Sequence, residues 1–165
     1  MELYVLRHGI AADVGPAGSG DAGRPLTEDG IAKMHEQARG MLHLGIKLDA
    51  LFASPLVRTR QTAEIVGGAL GIEPKLADAL APGCDLPRLR DLLGARRGAA
   101  RILIVGHEPD CGRIVGALTG GSRMLFKKGS LARIDMAVLD QHAGVLVWLL
   151  TPRILRSMGQ ESRLE

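Results

Sequence analysis

The sequence is poor in residues that stack, staple or span. Its 165 residues include four aromatics, Tyr4, Phe52, Phe126 and Trp148, too few to form a platform for stacked bases. Two cysteines, Cys84 and Cys111, cannot make a disulfide framework and lack metal-ligand spacing, so they read as reduced thiols. The longest apolar run, Val145 to Leu150, falls far short of the roughly 20 residues of a membrane helix. No membrane partner is expected. The opening MELYVLRHG lacks the basic and apolar regions of a signal peptide, which predicts a cytoplasmic protein. Basic residues outnumber acidic ones by only 21 to 18, a net charge of +3, and no basic cluster exceeds a pair (Arg96-Arg97, Lys127-Lys128). Nucleic acid is therefore a disfavoured partner.

What is present is globular. The chain is 46% hydrophobic and 24% charged, enough to close one core, and residues 1–165 read as a single domain. A short apolar strand, Leu3 to Leu6, ends in Arg7-His8-Gly9 and is followed by a Gly/Ala/Asp loop from Ile10 to Arg24. Thr27 looks like an N-cap for a helix reaching about Leu44, with Gly45 as its stop. Leu48 to Ala53 reads as a strand, and Ser54-Pro55 as the cap and first residue of a helix running to about Leu70. A strand near Pro74 to Ala77 and a short helix near Leu86 to Ala95 follow. Arg101 to Val105 is a buried strand ending in Gly106-His107-Glu108-Pro109, and a helix continues to Leu118. Ser130 to Leu139 and Val145 to Thr151 read as an antiparallel hairpin. The charged tail after Pro152 is expected to be a surface helix or disordered, and peripheral from about residue 153. Strands alternating with helices define the α/β class: a three-layer sandwich, its central sheet mostly parallel, with helices on both faces and a C-terminal antiparallel hairpin.

Two motifs mislead. Gly18 to Gly23 matches the dinucleotide pattern GxGxxG, but about ten residues separate it from the strand, and Arg24-Pro25 follows instead of a helix. It reads as loop. Cys84 to Arg90 has the spacing of a cysteine-phosphatase loop, yet Pro87 removes a backbone donor and Asp85 would repel the anion. It reads as coincidence.

A third constellation agrees with its surroundings. Arg7 and His8 stand at the carboxyl end of the first strand, His107 at the carboxyl end of another, and Arg58 in the first turn of a helix. In an open α/β sheet these ends face one crevice, where ligands bind. Helix N-termini and guanidiniums both favour anions there. Two arginines and two imidazoles suit a phosphoryl group, and a neutral histidine can attack phosphorus.

The segments Leu6-Arg7-His8-Gly9, Ser54 to Ala63 and Val105 to Pro109 together resemble the histidine phosphatase superfamily. Arg24 to Thr27 and Lys127 to Ala132 make the chain similar to its SixA-type phosphohistidine phosphatases, up to about Leu139. The resemblance implies a phosphoglycerate mutase-like sandwich and a phosphatase with no cofactor and no metal. It implies that His8 is the catalytic nucleophile, with Arg7, Arg58 and the second catalytic histidine, His107, binding the phosphate. The substrate implied is a histidine-phosphorylated protein of a phosphorelay or phosphocarrier system. Nothing in the sequence sets an oligomeric state.

Larger relatives supply a carboxylic acid to protonate an alkoxide. Here Glu73, Asp78, Asp85 and Asp91 are available, none in a convincing motif, and the segment holding them is short. An alkoxide's conjugate acid is weaker than imidazolium by roughly nine pKa units, taking water to stand for the alcohol. An imidazole can leave neutral, so a site without a strong acid suits phosphohistidine. Three rival readings stand beside this one. The first is a phosphatase of small monoesters using Asp78 or Asp85. The second is a non-catalytic phosphate-recognising module, and the third a metal-dependent hydrolase, which Arg7 and Arg58 disfavour by repelling a cation. The loop from residue 10 to 24 borders His8, and its glycines would let it close on substrate.

Overall fold

The computed structural model describes residues 1–94 and 99–161. Its strands are β1 (Glu2–Arg7), β2 (Ala50–Ala53), β3 (Lys75–Leu76), β4 (Arg101–Gly106), β5 (Leu131–Met136) and β6 (Gly144–Leu150). Its α-helices are α1 (Glu28–His43), α2 (Val57–Leu70), α3 (Leu86–Gly94), α4 (Asp110–Leu118) and α5 (Pro152–Glu161). The strands form one sheet in the order β3-β2-β4-β1-β5-β6. The first four are parallel, and β5 and β6 pair antiparallel beyond β1. The expected three-layer α/β architecture with its terminal hairpin is the one observed.

The inner strands are apolar almost throughout because helices cover both faces. Side chains alternate across the sheet. Leu3, Val5, Phe52, Ile102 and Ile104 meet α3 and α4, while Tyr4, Leu6, Leu51, Leu103 and Val105 meet α1, α2 and α5. Each such buried side chain contributes roughly 1.5–3 kcal/mol.

Thr27 caps α1 as the sequence predicts, its hydroxyl accepting from the Gly30 N–H at 2.9 Å. Two expectations are corrected. Helix α2 starts at Val57 without a side-chain cap. The Ser54 hydroxyl, read as that cap, accepts only from the Leu56 N–H just before the helix, at 3.4 Å, and bonds the His107 ring at 2.8 Å. The tail forms a helix, one of the two forms expected of it, but is not peripheral: α5 packs along α1 and buries Leu155 completely. Glycines let the two backbones approach, since a Cβ on Gly40 would overlap the Leu155 carbonyl oxygen and one on Gly159 that of Glu36. The predicted end of α3 at Ala95, and the Arg96-Arg97 pair, lie outside the described residues. Among the described residues no helix is long and apolar enough to cross a membrane.

Candidate active site

The site exists because β1 and β4 are neighbours. Their register sets Arg7 opposite Gly106, and the His8 N–H donates to the Gly106 carbonyl at 3.1 Å. The residues that leave the two strands, His8 and His107, therefore emerge side by side, with ring centroids 5.4 Å apart and planes inclined by 57°. Both are buried.

The turn before β5 closes the other flank. The Gly129 N–H donates to the carbonyls of Arg7 and His8 at 3.1 and 3.0 Å. Gly129 has φ +84°, and a Cβ there would overlap Gln37, so the position requires glycine. The Arg7 guanidinium donates to the Phe126 carbonyl at 2.7 Å. Arg58 enters from the first turn of α2 and is 5% exposed. One turn on, the Thr62 hydroxyl accepts from the Gly9 N–H at 3.1 Å and donates to the Arg58 carbonyl at 2.7 Å. Gln61 accepts from the Leu26 N–H at 2.7 Å. The Arg58-Thr59-Arg60-Gln61-Thr62 segment thus supplies a cation and anchors both the β1 exit and the base of the 10–24 loop.

The hydrogen bonds select one form of His8. Its Nδ1 lies 2.7 Å from the Gly9 carbonyl oxygen. That oxygen only accepts, so Nδ1 carries the proton and the lone pair of a neutral ring falls on Nε2. Burial pushes the His8 pKa down to about 3, with His107, Arg58 and Arg7 adding to the fall. Burial and then Arg58 lower that of His107 to about 4. Both rings are neutral at pH 7. The Nε atoms of Arg7 and Arg58 and the Nδ1 of His107 are buried without a hydrogen-bond partner. Unpaired donors in such positions cost about 1–3 kcal/mol each. An oxyanion between them would satisfy all three.

Sequence reasoning missed three participants. Ser54 orients His107. Asp21 lies in a short 3-10 turn of the 10–24 loop, and its backbone carbonyl and carboxylate accept from Arg58 at 2.8 and 3.0 Å. Arg24 and then Arg58 hold its carboxyl below the ordinary range. Glu108, next to His107, is half-buried, and desolvation raises its pKa. The first two signals were visible but absorbed elsewhere, Ser54 as a cap and Asp21 inside the GxGxxG coincidence. The 10–24 loop is pinned at its base, where Ala12 and Arg24 bond Pro25 and Ala12 respectively.

Of the carboxylates first considered as acids, Asp78 and Asp85 are exposed. Asp85 accepts from the Arg88 N–H at the start of α3. Neither makes a hydrogen bond or ion pair with His8, His107, Arg7 or Arg58. Cys84 is buried and its thiol is pushed up to about 11, the reverse of a reactive thiolate. Among the described residues no group of three or more His, Cys, Asp or Glu could hold a metal ion.

A mostly parallel sheet that brings two histidines and two arginines together at its strand ends offers an α/β anion site suited to a phosphoryl group. Residues 3–81 match the model of the histidine phosphatase superfamily (branch 1). An uncharacterized protein of Picosynechococcus sp. is 37% identical over 159 residues, covering 92% of this chain and 96% of that protein. Phosphohistidine phosphatase SixA of Escherichia coli K12 is 28% identical, covering 92% of this chain and 94% of its own. The structure of protein histidine phosphatase SixA complexed with tungstate superposes with a TM-score of 0.82 at 27% identity, over 94% of this chain and 99% of that one. The chain belongs to the histidine phosphatase superfamily and is a SixA-like phosphatase.

Proposed function

We propose that the protein hydrolyses phosphohistidine on a protein substrate, through a covalent intermediate on His8. The observation that carries this reading is the His8 ring, buried and neutral, with Nδ1–H held by Gly9 and Nε2 free to attack. The similarity to SixA supports the substrate class. Residues 1–165 act as one phosphatase domain, α5 included, and a phosphorelay or phosphocarrier substrate locates the reaction in the cytoplasm.

In the first step the Nε2 lone pair attacks phosphorus and the P–N bond of the substrate breaks. The substrate ring takes one proton from solvent on its other nitrogen and so leaves as neutral imidazole. His8 keeps its Nδ1 proton, and the positive charge that develops on its ring is stabilised by the Gly9 carbonyl. Arg7 and Arg58 neutralise the phosphoryl oxygens. Ser54 donates to Nε2 of His107, so that its Nδ1–H donates to a third oxygen. In the second step water attacks phosphorus and releases a proton to solvent, which offsets the one taken up in the first step; the P–Nε2 bond breaks, and His8 leaves as the neutral imidazole it began as. Neither leaving group is an alkoxide, so no carboxylic acid and no metal is required.

One observation favours a second reading, hydrolysis of small phosphate monoesters. Glu108 follows His107 directly, and its raised pKa would suit it to protonate an alkoxide. The readings separate in one assay. Phosphate release is measured from a histidine-phosphorylated carrier protein and from p-nitrophenyl phosphate, with chelator present and samples kept alkaline. The primary reading predicts faster release from the carrier, lost in His8→Ala and retained in Glu108→Gln. Preference for the ester, lost in Glu108→Gln, would favour the second. No release from either substrate would leave a phosphate-recognising module.

A further inference from the structure

The two most exposed large apolar side chains among the described residues flank the site. Val14 is 80% and Leu125 74% exposed. Each sits on a loop tied to a phosphate-binding arginine. Val14 belongs to the loop whose Asp21 holds Arg58. Leu125 precedes Phe126, whose carbonyl holds Arg7. Arg123 and Met124, the residues that lead to Leu125, border a groove of about 550 Å³ that starts at Glu108 and Pro109, next to His107, and is also lined by Arg113.

This flank is cationic. Arg123 and Lys127 are exposed and Lys128 half-buried, and none of the three side chains has a hydrogen bond or ion pair among the described residues. Arg113 is 74% exposed and reaches Asp110 only at 3.9 Å. In contrast, Arg24, Arg101 and Arg133 on other surfaces are held by carboxylates at 3.2 Å or less. Glu108 is the one acid on this groove, and its carboxylate accepts from the Gly112 N–H at 3.2 Å. A small phosphate reaching His8 would leave both apolar tips in water and the cations unmatched. A protein surface would cover them.

We propose that Val14 and Leu125, with Arg113, Arg123, Lys127 and Lys128, form a docking surface for a protein whose phosphohistidine is set among apolar and acidic side chains. The proposal rests on the phosphohistidine reading above. Apolar contact excludes water around the transferred group, and the cations steer an acidic partner into register.

The test compares two phosphoryl donors: a histidine-phosphorylated phosphotransfer domain with carboxylates around its histidine, and phosphoramidate, a P–N compound too small to touch either loop. Leu125→Asp, Val14→Asp and the pair Arg123→Glu with Lys127→Glu change only exposed positions, and circular dichroism verifies that each variant folds. KM for the protein donor is expected to rise tenfold or more in each, with kcat/KM for phosphoramidate within twofold of wild type. Wild-type kcat/KM on the protein donor should also fall as salt rises from about 50 to 300 mM, and that dependence should flatten in the charge-reversed pair. Protein-donor kinetics unchanged in all variants would overturn the docking surface while leaving the phosphohistidine reading intact. Wild type that turns over phosphoramidate but no histidine-phosphorylated protein would overturn both.

Discussion

Lowering the pH tests the neutral state of the paired histidines on which the mechanism depends. In the unfolded chain each ring has a pKa near 6.5. In the folded protein burial brings His8 to about 3 and His107 to about 4. Between these limits the unfolded chain binds the extra protons, so stability rises with pH and is lost as pH falls from 6.5. From pH 7 to pH 5 the loss is roughly 1.5–2 kcal/mol per imidazole, about 3–4 kcal/mol for the pair. That is a large part of the 5–15 kcal/mol typical of a domain. Urea unfolding of wild type, His8→Gln and His107→Gln at pH 7 and 5 isolates the contribution. Each glutamine variant should lose about 1.5–2 kcal/mol less than wild type over this interval. Inorganic phosphate should reduce the wild-type loss, because a bound dianion favours the imidazolium. Variants with the same pH dependence as wild type would refute the assignment of both rings as buried and neutral.

Three further outcomes are expected. Asp21→Asn retains the backbone contact to Arg58 and removes one negative charge beside the incoming dianion. At about 1 kcal/mol of relieved repulsion, inhibition by inorganic phosphate should tighten roughly fivefold, and an unchanged inhibition constant would set that carboxylate outside the phosphate's reach. Ser54→Ala takes the partner from His107 Nε2 and should lower kcat about tenfold with the fold intact, while an unaltered kcat would make Ser54 structural only. Gly40→Ala forces a methyl against the Leu155 carbonyl and should lower stability by about 1–3 kcal/mol. Thermal melting at wild-type values would show that α5 does not need that close approach to α1.

Much of the fold was legible because its signals are local. Thr27 followed by Glu28 and Asp29 marks a helix start, and Arg101 to Val105 is apolar enough to be nothing but a buried strand. The ends of β1 and β4 and the first turn of α2 pointed to four residues, Arg7, His8, Arg58 and His107, that the structure brings together. Their convergence depends on β4 inserting between β2 and β1, a long-range pairing that no spacing encodes. The failures share a cause, a residue type that serves two purposes. Serine before proline signals a cap, yet in this fold the Ser54 hydroxyl bonds His107. Helix α5 does carry a helical period, with Leu155, Met158 and Gly159 on one face, but that stripe is short and lies among charged residues, which by themselves suggest a peripheral tail. Asp21 sits among glycines and alanines, where nothing local points to a guanidinium carried by a helix 37 residues away.

The most direct test of the central claim is chemical trapping of the intermediate. The protein is mixed with a 32P-labelled histidine-phosphorylated carrier, quenched in alkali within milliseconds, digested and mapped. Acid-labile, alkali-stable label on the peptide bearing His8, absent from His8→Ala, is the result predicted. Phosphate released at full rate with no label on His8 at any time would contradict the mechanism.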